Sequence, residues 1–181
     1  MKGQHPEIVL GVTGSIAAYK AAELVRLMIK AGWGVSVVMT AAAVKFVAPL
    51  TFQTLSQRQV TTSFLEEAES WMPEHISLAD RADLLVIAPC TANMAAKLAQ
   101  GLADDALSST ALACRAPLVL APAMNDGMWA HPATRENLDR LRARGARIID
   151  AGTGELACNR SGKGRMADVA KIFAALREML S

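Results

Sequence analysis

The chain has 181 residues, enough for one α/β core and too few for two full domains. Its 19 Lys and Arg nearly balance 17 Asp and Glu, and a net charge of +2 gives no case for a nucleic-acid surface or an acidic tail. Hydrophobic content is 52% against 4% aromatic, which predicts close helix–sheet packing and some surface covered in a homo-oligomer; no apolar run reaches the roughly 18 residues a membrane span needs.

Apolar runs alternate with amphipathic ones, which predicts a doubly wound parallel sheet with helices on both faces. Glu7–Val12 reads as the first strand and Ile16–Ala31 as a helix closed by Gly32. Between them, Thr13-Gly14-Ser15 forms a strand–turn–helix junction. Such junctions bind anions, because unpaired N–H groups and the helix dipole face one point. A plain turn with Ser15 as N-cap explains the segment equally well. The pattern Gly-x-Gly-x-x-Gly is absent, and the second strand, Gly34–Met39, ends in Thr40 where a dinucleotide site has an acidic residue. A mononucleotide phosphate is therefore favoured over NAD.

Ala41–Ala48 reads as a short helix stopped by Pro49, and Thr51–Pro73 as irregular, with weak strand character around Val60–Phe64. His75–Arg81 is a helical turn leading into the strand Asp83–Ala88. A histidine behind Pro73-Glu74 is ordinarily a surface residue. Pro89-Cys90-Thr91-Ala92-Asn93-Met94 then opens a helix over Ala92–Gly101. Thr91 is a natural N-cap, and Asn93 offers both a donor and an acceptor to a flat heterocycle. Asp104–Ala113 is a further helix, whose Ser108, Ser109 and Thr110 either meet a phosphate or lie exposed.

The strand Leu118–Ala121 ends in Pro122-Ala123-Met124-Asn125-Asp126-Gly127-Met128-Trp129. This places one neutral amide, flanked by Met and Trp, at the sheet edge where open α/β proteins bind ligands. A helix over Thr134–Arg144, a strand over Ala146–Ile149 and a closing helix over Asp168–Leu180 complete the pattern. Ala151–Met166 reads as a Gly-rich loop, and loops of that length in compact domains are usually functional. Within it, Cys158 stands near Arg160, Lys163 and Arg165, which would lower a thiol pKa and suit it to proton transfer. Cys90, Cys114 and Cys158 are odd in number and form no Cys-x-x-Cys, and His5, His75 and His131 are scattered. Neither a disulfide framework nor a metal site is expected. The first residues carry no signal-peptide cleavage pattern, so a reducing cytoplasm is the expected setting.

Together these segments resemble the homo-oligomeric flavin-containing cysteine decarboxylases, in particular their coenzyme A branch. Gly11–Lys20 is similar to the family's opening segment, and Pro89–Met94 to its Pro-Ala-Ser-Ala-Asn-Thr motif. Pro122–Trp129 fits Pro-x-Met-Asn-x-x-Met-Trp at every fixed position, and Ala157-Cys158 is similar to its substrate clamp. Cys90, Thr91 and Met94 depart from the first motif, and Asn159 stands where that branch usually has Gly.

The resemblance implies one Rossmann-like, flavodoxin-like domain over residues 1–181, with Ala151–Met166 as the clamp. It implies FMN held by Thr13, Gly14, Ser15, Thr40, Thr91, Ala92, Asn93, Met94, Ser108 and Ala123. It implies decarboxylation of 4′-phospho-N-pantothenoylcysteine to 4′-phosphopantetheine. His75 would serve the oxidative half, Asn125 would hold the departing carboxylate, and Cys158 would protonate the intermediate. Met124, Met128, Ala157 and Arg165 would contact the substrate. A homotrimer or dodecamer and a ligase on a separate chain are implied as partners. The alternatives are a peptidyl-cysteine decarboxylase, a flavin prenyltransferase, or a flavin-binding regulatory protein without turnover.

Overall fold

The structure is a computed structural model that describes residues 5–63, 74–155 and 161–181. Its central sheet comprises β1 (Glu7–Val12), β2 (Gly34–Met39), β3 (Leu84–Cys90), β4 (Leu118–Pro122) and β5 (Arg147–Ile148). All pairings are parallel and the order is β2-β1-β3-β4-β5, the flavodoxin-like order. Around it lie α1 (Ala18–Lys30), α2 (Pro49–Ser56), α3 (Glu74–Arg81), α4 (Ala92–Gln100), α5 (Ala106–Ala113), α6 (Asp126–Ala130), α7 (Pro132–Ala143) and α8 (Val169–Leu180). A separate antiparallel pair, β6 (Gly152–Glu155) and β7 (Ser161–Arg165), occupies part of the expected loop.

Alternate strand residues face opposite layers, as a strand period of two requires. Ile8, Leu10 and Val12 join Leu24, Val25 and Met28 of α1 and Ile172 and Leu176 of α8 in one core. Val9, Leu85 and Ile87 join Leu78, Met94, Leu107 and Leu138 in the other. The sheet is therefore buried on both faces, which is why its strands read as continuous apolar runs.

Several boundaries differ from the sequence reading. Helix α1 begins at Ala18, because Thr13–Ala17 turn tightly: the Ser15 carbonyl accepts from the Ala18 N–H at 2.9 Å. Over the expected Ala41–Ala48 helix only a 3-10 turn, Ala43–Lys45, forms. Pro49 starts a helix instead of stopping one. Ala48 is extended and Pro49 takes the first helical position, where a missing N–H costs nothing. The irregular segment from Thr51 thus opens with helix α2, which ends on Gln57 in the left-handed region. Thr61 makes a single bridge to Val38, and Phe64 lies outside the described residues. Strand β3 extends through Pro89 and Cys90, where a register shift absorbs the missing proline N–H.

Candidate functional site

The strand order reverses between β1 and β3, so the loops leaving their carboxyl ends diverge and open a crevice. Thr13, 1% exposed, joins the two walls. Its hydroxyl donates to the Pro89 carbonyl at 2.7 Å and accepts from the Thr91 N–H at 3.1 Å. Thr91 is extended and caps α4, its hydroxyl accepting from the Met94 N–H at 3.3 Å. Ala123 donates its N–H to the Cys90 carbonyl at 2.9 Å, which ties the β4 loop to the β3 loop. On the other side, Thr40 donates its N–H to the Val12 carbonyl at 3.1 Å, and its hydroxyl accepts from the Ala43 N–H at 3.2 Å. Thr13, Thr40, Thr91 and Ala123 therefore border one shelf along the carboxyl edge.

Gly14 lies against Ala42: a Cβ on Gly14 would collide with the Ala42 methyl group, so close packing explains this glycine. Ser15 is not the N-cap. Its hydroxyl accepts from the Ala17 N–H at 3.2 Å, and the N-cap of the 13-residue α1 is Ala17, which supplies no side-chain cap. The tight turn sets the start of α1, the positive end of its dipole, at the carboxyl edge beside Gly14 and Ser15, a place suited to an anion. Ala92 is half-buried, Asn93 is exposed and Met94 is buried beneath them. No Asp, Glu, Lys or Arg occurs in residues 13–15, 40–42, 91–94 or 122–125. The residues that border the shelf are neutral.

Asn125 is the extended N-cap of α6, and its Oδ1 accepts from the Gly127 N–H at 2.9 Å. With the oxygen accepting, the NH2 is the end of this amide suited to a carboxylate. Met124 is half-buried, Met128 is exposed and Trp129 is buried. Cys90, which departs from the family motif, is fully buried, and burial pushes its thiol up to about 12. It is a packing residue with no thiolate at neutral pH.

The flavoprotein family model matches residues 1–181.

The chain belongs to the flavoprotein family.

It is 45% identical to the coenzyme A biosynthesis bifunctional protein CoaBC of Haemophilus influenzae over 181 residues. That alignment takes in all of this chain but only 45% of the relative, so the chain spans less than half its length. Among solved structures, a cysteine-to-serine mutant of PPC decarboxylase complexed with pantothenoylaminoethenethiol superposes with a TM-score of 0.88 at 32% identity, covering 98% of this chain and 99% of that one. The FMN-dependent cysteine decarboxylase SpaF superposes with a TM-score of 0.82 at 31% identity, covering 100% of both chains.

The remaining candidates are distributed unevenly around this flavoprotein crevice. Helix α3 runs from the carboxyl side toward the amino edge, where Asp83 donates its N–H to the Glu7 carbonyl at 2.7 Å. His75, half-buried in the first turn, is therefore on the crevice side of the sheet. Ser108 does not present a hydroxyl to a phosphate. It is fully buried in a capping box, accepting from the Asp105 N–H at 3.0 Å and donating to the Asp105 carbonyl at 3.1 Å. Arg165 is exposed on β7, its guanidinium beside Gly154 of β6. Ala157, Cys158 and Asn159 lie outside the described residues. A cavity of ≈ 520 Å³ lined by Gly101, Cys114, Pro117, Leu118 and Arg144 lies at the opposite, amino side of β4, away from this chemistry.

Two features escaped the sequence reading. Asp126–Ala130 forms a helix, signalled only by Asn125 as its cap. The β6–β7 pair rests on the Asn125 segment: the Met124 N–H donates to the Gly164 carbonyl at 2.9 Å. The alternating small residues Gly162 and Gly164 were the available signal.

Proposed function

We propose that this flavoprotein catalyses FMN-dependent decarboxylation of 4′-phospho-N-pantothenoylcysteine to 4′-phosphopantetheine, a carboxy-lyase step of coenzyme A biosynthesis in the cytoplasm. The observation that carries the reading is the end-to-end match, at 32% identity, to a PPC decarboxylase holding pantothenoylaminoethenethiol. The neutral shelf fits the cofactor. Thr13, Gly14 and Ser15 would hold its phosphate, and Thr40, Thr91, Ala92, Asn93, Met94 and Ala123 would border its ring. When bound, FMN supplies the two-electron oxidation and reduction that the cysteine-derived group undergoes.

The protein's own part is position and protons. The Asn125 NH2 donates to the substrate carboxylate, and a neutral amide suits departure, since a fixed cation would stabilise the charged ground state and oppose loss of CO2. Met124 and Met128 line the apolar approach, Ala157 and Arg165 contact the rest of the substrate, and His75 acts as base or orienting group. Cys158 supplies the closing proton. A phosphopantothenate–cysteine ligase, fused or separate, would make the substrate. Exposed Ile16, Tyr19, Phe46 and Leu50, on α1, α2 and the turns before them, support a homo-oligomer, trimer or dodecamer. Among the described residues no helix is long and apolar enough to cross a membrane.

FMN-loaded protein should release CO2 from this substrate and yield phosphopantetheine, and Cys158→Ser should stall at an oxidised intermediate. No turnover by flavin-loaded protein would overturn the reading. The SpaF match favours one competitor, decarboxylation of a peptide ending in cysteine. Preference for such a peptide in the same assay would replace the proposed substrate.

A further inference from the structure

Three consecutive residues of β7 meet the segment that carries Asn125. Gly164 accepts from the Met124 N–H at 2.9 Å, and a Cβ on it would strike the Met124 carbonyl. A Cβ on Gly162 would come within 2.7 Å of the Asp126 Cβ. Between them, Lys163 places its Nζ 5.4 Å from the centroid of the Trp129 ring. The strand thus touches the residue before Asn125, the residue after it, and the α6 tryptophan. Both glycines permit the close approach, the Gly164 carbonyl adds one backbone hydrogen bond, and a two-stranded hairpin is marginal unless side chains also hold it. Lys163 is the side chain that attaches across the gap.

We propose that Lys163 is a positioning residue for Asn125, acting through the face of Trp129; its kinetic consequence rests on the decarboxylase reading above. With Lys163 seated on the ring, β7 stays against the Met124 backbone while Gly127 holds the Asn125 side chain from the other direction. The amide then keeps one orientation toward the substrate carboxylate. Losing the cation loosens β7 and lets the Met124–Asn125 backbone open, with the sheet unaffected.

The test compares full-length, FMN-loaded wild-type protein with K163M, which keeps the chain length, K163R, which keeps the cation, and K171M as an exposed control on α8. Amide hydrogen exchange at Met124 should run about two- to fivefold faster in K163M, the factor that an exposed cation–π contact supports, with β1 amides unchanged. The kcat/KM for phosphopantothenoylcysteine should fall by a similar factor in K163M and stay near wild type in K163R and K171M, because a guanidinium also stacks on indole. Unchanged exchange at Met124 in K163M overturns the contact as a latch. Faster exchange with unchanged kcat/KM overturns its role in positioning. A wild-type protein that turns over nothing sinks the decarboxylase reading instead, while the exchange comparison still decides whether Lys163 fixes the Asn125 backbone.

Discussion

The amino edge of the sheet is held by ion pairs, whereas the strand-end loops at the carboxyl edge are joined to one another by neutral hydroxyls and amides. At the amino edge, Arg58 grips both Glu7 oxygens, at 2.5 and 3.0 Å, and shares Ser36 with Arg81. The Glu7 N–H donates to Asp83 at 2.9 Å. The hydrogen bond from Arg58 holds the Glu7 carboxyl below the usual carboxylate range, burial working against it. At the carboxyl edge, Thr13, Thr40, Thr91 and Asn125 do the joining, and none of them titrates near neutral pH. The hydrogen bonds that join the strand-end loops therefore do not depend on the charge state of Thr13, Thr40, Thr91 or Asn125.

The sharpest way to break this contrast is to put a charge on the neutral edge. Asn125→Asp keeps an equally good helix cap, so the melting temperature should hardly move, while a carboxylate facing the substrate carboxylate should lower kcat/KM by about 100-fold or more. Retained turnover would remove Asn125 from carboxylate binding. Thr13→Val comes next. It leaves the Pro89 carbonyl and the Thr91 N–H without their shared partner and should cost about 2 kcal/mol in urea unfolding, with weaker FMN binding as the crevice walls part. Glu7→Gln should cost about 1 kcal/mol at pH 7, the modest value that a partly exposed, well-oriented Arg–carboxylate pair supports. Because the folded carboxyl titrates below its unfolded value, wild type holds this increment above the ordinary carboxylate range near pH 4 and loses it as pH falls further. The variant and wild type should therefore converge in stability toward pH 3, and parallel curves would disprove the linkage. The smallest effect concerns Cys90: at pH 8 a maleimide should leave it unlabelled in folded protein, since its thiol sits near 12.

Much of the fold was legible because a parallel sheet buried on both faces writes itself as apolar runs, and Glu7–Val12 and Gly34–Met39 coincide with their predicted bounds. Pro49 was misread because proline marks both the stop of one helix and the start of another, and the difference lies in whether the residue before it is extended. The β6–β7 pair was missed because Gly152–Glu155 and Ser161–Arg165 show no apolar alternation; they follow neighbouring backbone instead of a core. Of the candidate site, strand-end residues could be found because the topology brings carboxyl ends together. What a side chain does there could not. Thr13 staples two loops and Ser108 is spent in its own cap, and both depend on partners chosen by packing.

The contact between Gly14 and Ala42 carries a consequence for anyone building variant libraries. Position 14 tolerates no growth while Ala42 stays as it is, since the added methyl at 14 and the existing one at 42 claim the same space. Single-site scanning would therefore score Gly14→Ala as intolerant, whereas pairing it with Ala42→Gly removes the methyl clash and leaves only the close approach to the residue 42 backbone at 3.1 Å. The two substitutions should therefore be non-additive, the pair costing less than the sum of the singles.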